Sequence, residues 1–378
     1  MAHAYTPGLR VARRAHLSRE RTLPLKGDVL VNEGDTVRSE DVVAKTLLPG
    51  PVTILNVVNT LGIEPEEIHD YMLVKAGDTF AKGAPLAQNK PLFGLSFLKT
   101  VIKAPTDGVI ESISTITGQV VLREPPQPVQ VFAYFDGRIT RVLPGDGVQI
   151  ETVGTFVQGI FGIGGETWGE LSLAVESADE VLTADKLKPE YKGKILIGGC
   201  HFTRDAFDKA RDIGVSGVIV GGFHDQDVRE ILGYDLGVAI TGHEDLGLTL
   251  VMTEGFGSIP MAPKTFALLK ERAGARAALS GATQIRAGVI RPEIIIPFPQ
   301  EKWEDSADDV RESAQAVREG DHIRVIREPY FGWLGTVKEL TPALERVECE
   351  TKVRVLEVAF EDGSTATVPR ANIERIED

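Results

Sequence analysis

The sequence predicts a multi-domain protein that combines an α/β unit with all-β units, and three observations carry this prediction. Residues 195–257 contain four short apolar runs, at 195–197, 218–220, 238–241 and 248–252, separated by turn or helical segments. This is the pattern of strands in a largely parallel sheet buried on both faces. Residues 26–150 contain short alternating strands around repeated Gly-Asp turns, and residues 320–378 form another strand-turn-strand pattern. Because 378 residues exceed one ordinary core, we expect these patterns to form separate domains.

Composition and charge exclude several classes of protein. The 42% hydrophobic and 25% charged content is typical of a globular protein. A net charge of -14 argues against phosphate-backbone binding by the protein as a whole. Two cysteines, Cys200 and Cys349, provide neither a disulfide framework nor a four-cysteine metal or iron–sulfur site. With no apolar signal core at the start and no run of eighteen apolar residues, we expect a cytoplasmic protein without membrane insertion.

Residues 1–25 are expected to form a basic N-terminal arm. The segment has five arginines and one acid, Glu20; the arginines are Arg10, Arg13, Arg14, Arg19 and Arg21. Such an arm can bind an acidic partner or nucleic acid. It can equally remain a solvated terminus or pack on the acidic surface of its own chain.

An internal repeat organises residues 26–150. VNEGDTV at 31–37 and VKAGDTF at 74–80 are each followed by an apolar pair, at 43–44 and 86–87, and Gly-Asp supplies the tight turn between strands. With the related IKAPTDGVI at 102–110, this segment resembles the barrel-sandwich hybrid fold of biotinyl and lipoyl carrier domains. Lys99 does not stand in the carrier motif, so the resemblance implies a structural or docking module.

Residues 151–297 are predicted to form the central α/β domain, which resembles no family that we recognise. It opens with a glycine-rich segment, 159–169, that is neither a dinucleotide fingerprint nor a P-loop. Its backbone amides could cradle an anion, or its glycines could serve a tight turn and close packing. Capping and periodicity predict helices over 204–213, 226–232 with Asp225 as the cap, and 262–273, with strands at 275–280 and 293–296.

Polar residues at the predicted strand ends are the candidate ligand-binding site, because open α/β sheets bind ligands beyond the carboxyl ends of their strands. Neutral imidazoles with a thiolate or carboxylate suit zinc or another transition metal, so His201, His224 and His243 are candidate metal ligands. The alternative is that these positions are ordinary turn and cap residues. The candidate ligand-binding residues are Gly164, Gly165, Cys200, His201, His224, His243, Glu244, Glu254 and Arg286.

The C-terminal part is predicted to be an acidic linker with a short helix, 298–319, followed by a small barrel, 320–378. GDHIRVIREPYFGWLGTV at 320–337 resembles the KOW motif of NusG-type transcription factors and ribosomal proteins, which implies an SH3-like barrel that docks on protein or RNA. The acidic residues of the module favour protein over RNA. The candidate docking residues are Arg324, Arg327, Tyr330, Phe331 and Trp333; Phe331 and Trp333 can alternatively seal the barrel.

These features together predict a non-catalytic adaptor or assembly protein. Its β modules would dock partner proteins, and the α/β domain would hold a small ligand at its strand ends. No complete catalytic motif is present, the sequence identifies no cofactor, and an oligomer is compatible with it. One alternative is a flavin- or nicotinamide-binding electron-transfer subunit, since a barrel-sandwich module followed by GIGG at 162–165 is loosely similar to a subunit of Rnf-type complexes. Another is a transcription- or translation-associated KOW factor.

Overall fold

The computed structural model describes residues 10–89, 100–234, 242, 244–284, 290–303, 310–311, 317–325, 329–330, 333–340, 344–346, 352–360 and 362–376. The chain is a mixed α/β structure dominated by strands, with one large mixed sheet and several smaller sheets. Within the described residues, the coarse expectation of an α/β unit combined with β-rich units is confirmed.

The first strand belongs to the large sheet, so from residue 11 to residue 22 the basic segment packs on its own chain, which is one of the alternatives given for it. Strand β1, Val11–Thr22, runs antiparallel to a strand at Gly147–Gln158, with Val11 opposite Val157 and Thr22 opposite Gly147. Its apolar side chains are buried in the sheet. Its arginines instead bind acidic residues of the same chain: Arg13 pairs with Glu271, Arg19 with Glu293 and Arg21 with Glu166.

The two predicted Gly-Asp turns have the same geometry. Gly34 and Gly77 adopt left-handed backbone angles, φ 93° and φ 91°, which glycine tolerates best. In each turn the aspartate accepts the backbone N–H three residues earlier, at 2.7 Å, from Asn32 to Asp35 and from Lys75 to Asp78. The sequence repeat is therefore a repeat of turn structure.

The elements around these turns are β2 Asp28–Val29, β3 Thr36–Val37, β4 Val42–Leu48, β5 Val52–Asn56, α1 Val57–Leu61, α2 Ile68–Tyr71, β6 Thr79–Phe80, β7 Pro85–Gln88, β8 Val101–Lys103, β9 Gly108–Ile113, β10 Gln119–Arg123, β11 Gln127–Phe132 and β12 Gly137–Leu143. Their strands form three small sheets, in the orders β5-β10-β9-β6, β11-β4-β2 and β7-β8, while β3 and β12 join the large sheet.

The central elements extend the large sheet to the order β14-β20-β19-β17-β15-β21-β22-β13-β1-β23. Its neighbours β15, β17, β19 and β20 are parallel, and we call these four strands the parallel block. Pairings of β14, β21, β22 and β13 are antiparallel, so the sheet is mixed rather than largely parallel. The elements are β13 Gly147–Gln158, β14 Phe161–Ile163, β15 Glu166–Leu173, β16 Val181–Leu182, β17 Ile195–Ile197, β18 His201–Phe202, α3 Arg204–Ile213, β19 Gly217–Phe223, α4 Asp225–Leu232, β20 Thr249–Phe256, α5 Pro263–Glu271, β21 Arg276–Ser280, β22 Glu293–Pro297 and β23 Val310–Arg311.

Helix α3 has the predicted bounds, with Thr203 before it and Gly214 in a left-handed conformation after it. Helix α4 begins one residue earlier than predicted: Asp225 is its first residue and His224 occupies the cap position, without a side-chain cap hydrogen bond. The predicted strand at 238–241 lies outside the described residues.

The C-terminal strands form a separate sheet, β26-β27-β25-β24-β29 with β28 beside β27, around its own apolar cluster. In the preceding segment the described residues contain a 3-10 turn, Gln300–Lys302, and β23; the rest of the predicted acidic helix is outside the described part of the chain. The elements are β24 His322–Val325, β25 Leu334–Glu339, β26 Leu344–Arg346, β27 Lys352–Phe360, β28 Thr365–Pro369 and β29 Ile373–Ile376.

Candidate functional site

The predicted site residues fall on two opposite edges of the parallel block. Cys200, His201 and His224 follow β17 and β19, and Glu254 lies near the end of β20; these residues are at the carboxyl edge. Gly164 and Gly165 precede β15, and Glu244 precedes β20; they are at the amino edge. The single predicted site is therefore two sites. His243 and Arg286 lie outside the described residues.

Two imidazole rings lie together at the carboxyl edge. The ring centroids of His201 and His224 are 4.4 Å apart. His201 is only 7% exposed, and its buried Nδ1 has no hydrogen-bond partner among the described residues. Burial, and then the neighbouring His224, lower the pKa of His201 below its ordinary value, because both disfavour the charged ring. Burial and His224 therefore favour the neutral ring of His201.

The thiol next to this pair is already hydrogen-bonded. Cys200 Sγ donates to the Asp179 carbonyl at 2.9 Å and accepts from Ser258 Oγ at 3.6 Å. Within the part of the chain that the structure describes, no three His, Cys, Asp or Glu side chains are grouped to hold a metal ion. A metal site at His201 and His224 thus stays a prediction that requires a further ligand.

Glu254 is a buried carboxylate with two partners. Its Oε1 accepts the backbone N–H of Ala262 at 2.9 Å, at the start of α5. Its Oε2 forms an ion pair with Arg324 of the C-terminal barrel. Both charged side chains are more than nine-tenths buried. The sequence placed Glu254 in a ligand pocket and Arg324 on a partner surface, whereas the structure joins the two residues.

The amino edge carries an open cleft of about 440 Å³. Glu244 lies in its wall and accepts hydrogen bonds from Gly242 N–H at 2.7 Å, Gly164 N–H at 3.3 Å and the Tyr234 hydroxyl at 2.7 Å. Burial raises the pKa of Glu244, but these donors outweigh it and the net pKa is lowered. Burial, and then the carboxylate, raise the pKa of Tyr234 to about 12. Glu244 is thus held ionised at the cleft.

The glycine-rich segment serves packing more than ligand binding. A Cβ on Gly162 would meet Gly281 O at 2.8 Å, and one on Gly164 would meet Leu248 O at 2.8 Å; both distances are too short for real Cβ contacts. Gly165 is the open position, with Gly242 O at 3.7 Å, and it lines the cleft. Of the two alternatives for this segment, close packing explains Gly162 and Gly164.

The carboxylates give the cleft its chemistry. Glu166, Glu244 and Asp245 are the charged side chains among its lining residues, although Arg21 binds Glu166. An acidic wall favours a cationic or neutral polar ligand and repels a phosphate.

The predicted docking surface of the C-terminal barrel is divided. Arg324 is turned into the buried ion pair with Glu254, so it does not contribute to a free basic surface. Trp333 is 43% exposed but packs edge-on against Tyr330 and Phe360, at centroid distances of 5.6 and 5.1 Å. Tyr330 and Trp333 therefore pack over Phe360, which belongs to the barrel core. Arg327 and Phe331 lie outside the described residues.

Two structural features, both used in the proposals below, escaped the sequence interpretation. Tyr234, which binds Glu244, sits in an unremarkable turn after α4. The edge strand β5 exposes Val52 and Ile54, and only its alternating pattern next to a turn signals that.

No protein-family model matches the chain, and no curated protein matches it significantly. Among the described residues, no helix is long and apolar enough to cross a membrane.

Proposed function

We propose that the protein is a non-catalytic adaptor that docks a partner protein through its N-terminal β module. The observation that carries this proposal is the concentration of exposed apolar side chains there. Eight of the twelve large exposed hydrophobic residues of the described chain lie between residues 25 and 116; they are Leu25, Leu30, Leu47, Val52, Ile54, Leu73, Val101 and Ile116. Exposed apolar residues mark a protein interaction site when they form a contiguous patch.

Strand β5 gives this surface a shape that a partner can use. Val52 and Ile54 are two residues apart and so lie on the same face of the strand, where both are exposed. Among the described residues, β5 pairs on one side only, with β10, so its other side offers unpaired backbone groups. An extended partner segment can add to such an edge and gain specificity from the apolar side chains.

Photo-cross-linking tests the docking proposal. A cross-linking amino acid is placed at position 54, or at position 290 as a control, since Ile290 is exposed but lies outside the N-terminal β module. The adducts are identified by mass spectrometry after nuclease treatment. The identified partner is then bound to purified V52K/I54K protein, for which we expect at least tenfold weaker binding, with I290K unchanged. Equal cross-linking at the two positions, or full binding by V52K/I54K, overturns the proposal.

The amino-edge cleft supports a second role for the central sheet, namely binding a small cationic or neutral polar ligand beside Glu244. Its volume of about 440 Å³ is in the range of small-molecule sites. Native mass spectrometry of the purified protein tests it: a retained small molecule should be lost in G165L, whose side chain would fill the cleft. The same acidic wall opposes the flavin- or nicotinamide-binding alternative. Arg324, turned inward, weakens the KOW-factor alternative.

A further inference from the structure

The contact between the C-terminal barrel and the carboxyl edge of the parallel block includes a buried arginine, Arg324. On β24, Ile323 and Val325 belong to the apolar cluster of the barrel. Since successive side chains of a strand point to opposite faces, Arg324 points out of the barrel. It is nevertheless only 8% exposed. The carboxyl edge, through Glu254, therefore covers a side chain that would be exposed on the barrel alone.

Within the described residues, no apolar cluster joins the barrel to the parallel block: the barrel cluster contains only barrel side chains and the segment just before it, and the cluster of the parallel block contains none from the barrel. Polar interfaces between units of one chain are weaker than shared cores and allow relative motion. We therefore expect loss of the Arg324–Glu254 ion pair to loosen the barrel from the edge.

We propose that Glu254 forms an arginine-accepting docking site at the carboxyl edge, and that the C-terminal barrel is a displaceable cover held there by Arg324. Undocking the barrel would expose the Glu254 carboxylate at the carboxyl edge. A guanidinium group from another molecule then meets the same carboxylate, whose Oε1 is already fixed by the N–H of Ala262. The site is selective for a cation because a buried carboxylate needs a compensating charge.

Small-angle scattering and hydrogen exchange of the full chain test this proposal. R324M and E254Q should each enlarge the maximum dimension of the protein and speed exchange of the Ala262 amide at least tenfold. The double variant E254Q/R324M should show no more than the larger single effect, because both changes break one contact. R354M, which removes an exposed arginine of the same barrel, is the matched control and should behave as wild type.

A small-molecule probe then tests the docking site itself. Acetyl-arginine methylamide at millimolar concentration should slow Ala262 exchange in R324M, and acetyl-citrulline methylamide, its neutral isostere, should not. Neither should affect E254Q/R324M. If R324M unfolds the barrel, E254Q tests the same contact from the other side. If E254Q has the same scattering and the same Ala262 exchange as wild type, the proposal that the ion pair holds the barrel is overturned. If both probes slow exchange equally, the proposed arginine site is overturned.

Discussion

Replacing His201 with phenylalanine is expected to reduce the loss of stability that the parallel block suffers at acid pH. The pKa of His201 is lowered from its ordinary value of 6.5, mainly by burial and then by His224, while Asp227 and the backbone of Gly257 and Gly222 act in the opposite direction. The unfolded chain therefore binds a proton more readily than the folded chain. The contribution of His201 to the free energy of unfolding is fully present above pH 6.5, and it is lost as the pH falls below 6.5 towards the lowered pKa.

The size of the effect follows from linkage. One proton taken up on unfolding changes the free energy of unfolding by at most about 1.4 kcal/mol per pH unit. H201F removes this proton and keeps an aromatic ring beside Phe223, whose centroid lies 6.2 Å from that of His201. It also removes the unpartnered Nδ1, a buried polar atom that costs about 1–3 kcal/mol when unsatisfied. At neutral pH we therefore expect little net loss of stability.

Hydrogen exchange of the β19 amides measures this prediction, after correction for the intrinsic pH dependence of exchange. Between pH 6.5 and 5.5, the opening free energy of wild type should fall with a slope up to about 1.4 kcal/mol per pH unit steeper than that of H201F. H69Q, which changes an exposed histidine of α2, should keep the wild-type slope. Equal slopes for wild type and H201F would refute the reasoning.

Two further predictions concern the amino edge. G281A should lower the free energy of unfolding by about 1–3 kcal/mol, because its Cβ would collide with the backbone of Ile163 and Gly164. G165A places its Cβ in open space and should lower the free energy of unfolding by less than about 0.5 kcal/mol. Similar urea midpoints for the two variants would contradict the packing role of Gly281. E244Q should bring the pKa of Tyr234 down from about 12 towards its ordinary value of 10.0, since it removes the carboxylate that opposes ionisation. Ultraviolet titration of tyrosinate measures this, and an unchanged curve would show that Glu244 does not act on the hydroxyl.

Local signals in the sequence predicted local structure well. The bounds of helix α3 follow from its apolar periodicity and from the left-handed Gly214 after it, both of which act within a few residues of the helix; the Thr203 side chain forms no cap hydrogen bond. The Gly-Asp turns were found for the same reason. The local sequence does not predict strand β1, because the burial of this strand depends on β13, more than a hundred residues away, whereas its arginines dominate the local composition.

The division of the site into two edges also depended on distant information. The run 238–241 was interpreted as a strand, and that placed Glu244 after a strand end. In the structure Glu244 precedes β20 and binds the N–H of Gly164, which precedes β15. Polar residues at strand ends can be recognised from sequence, but the edge to which they belong depends on strand direction and pairing. Those properties are set by the whole sheet.

The two edges of the parallel block differ in access, and this difference follows from where the C-terminal barrel docks. Open α/β sheets bind ligands at the carboxyl ends of their strands, yet here that edge carries the buried pair between Glu254 and Arg324. The amino edge, with Glu244 held ionised, is an open cleft. Binding at Glu254 would therefore displace a contact of the chain itself, whereas binding at the amino edge need not. A ligand whose affinity rises in R324M acts at the first edge, and one whose affinity falls in E244Q acts at the second.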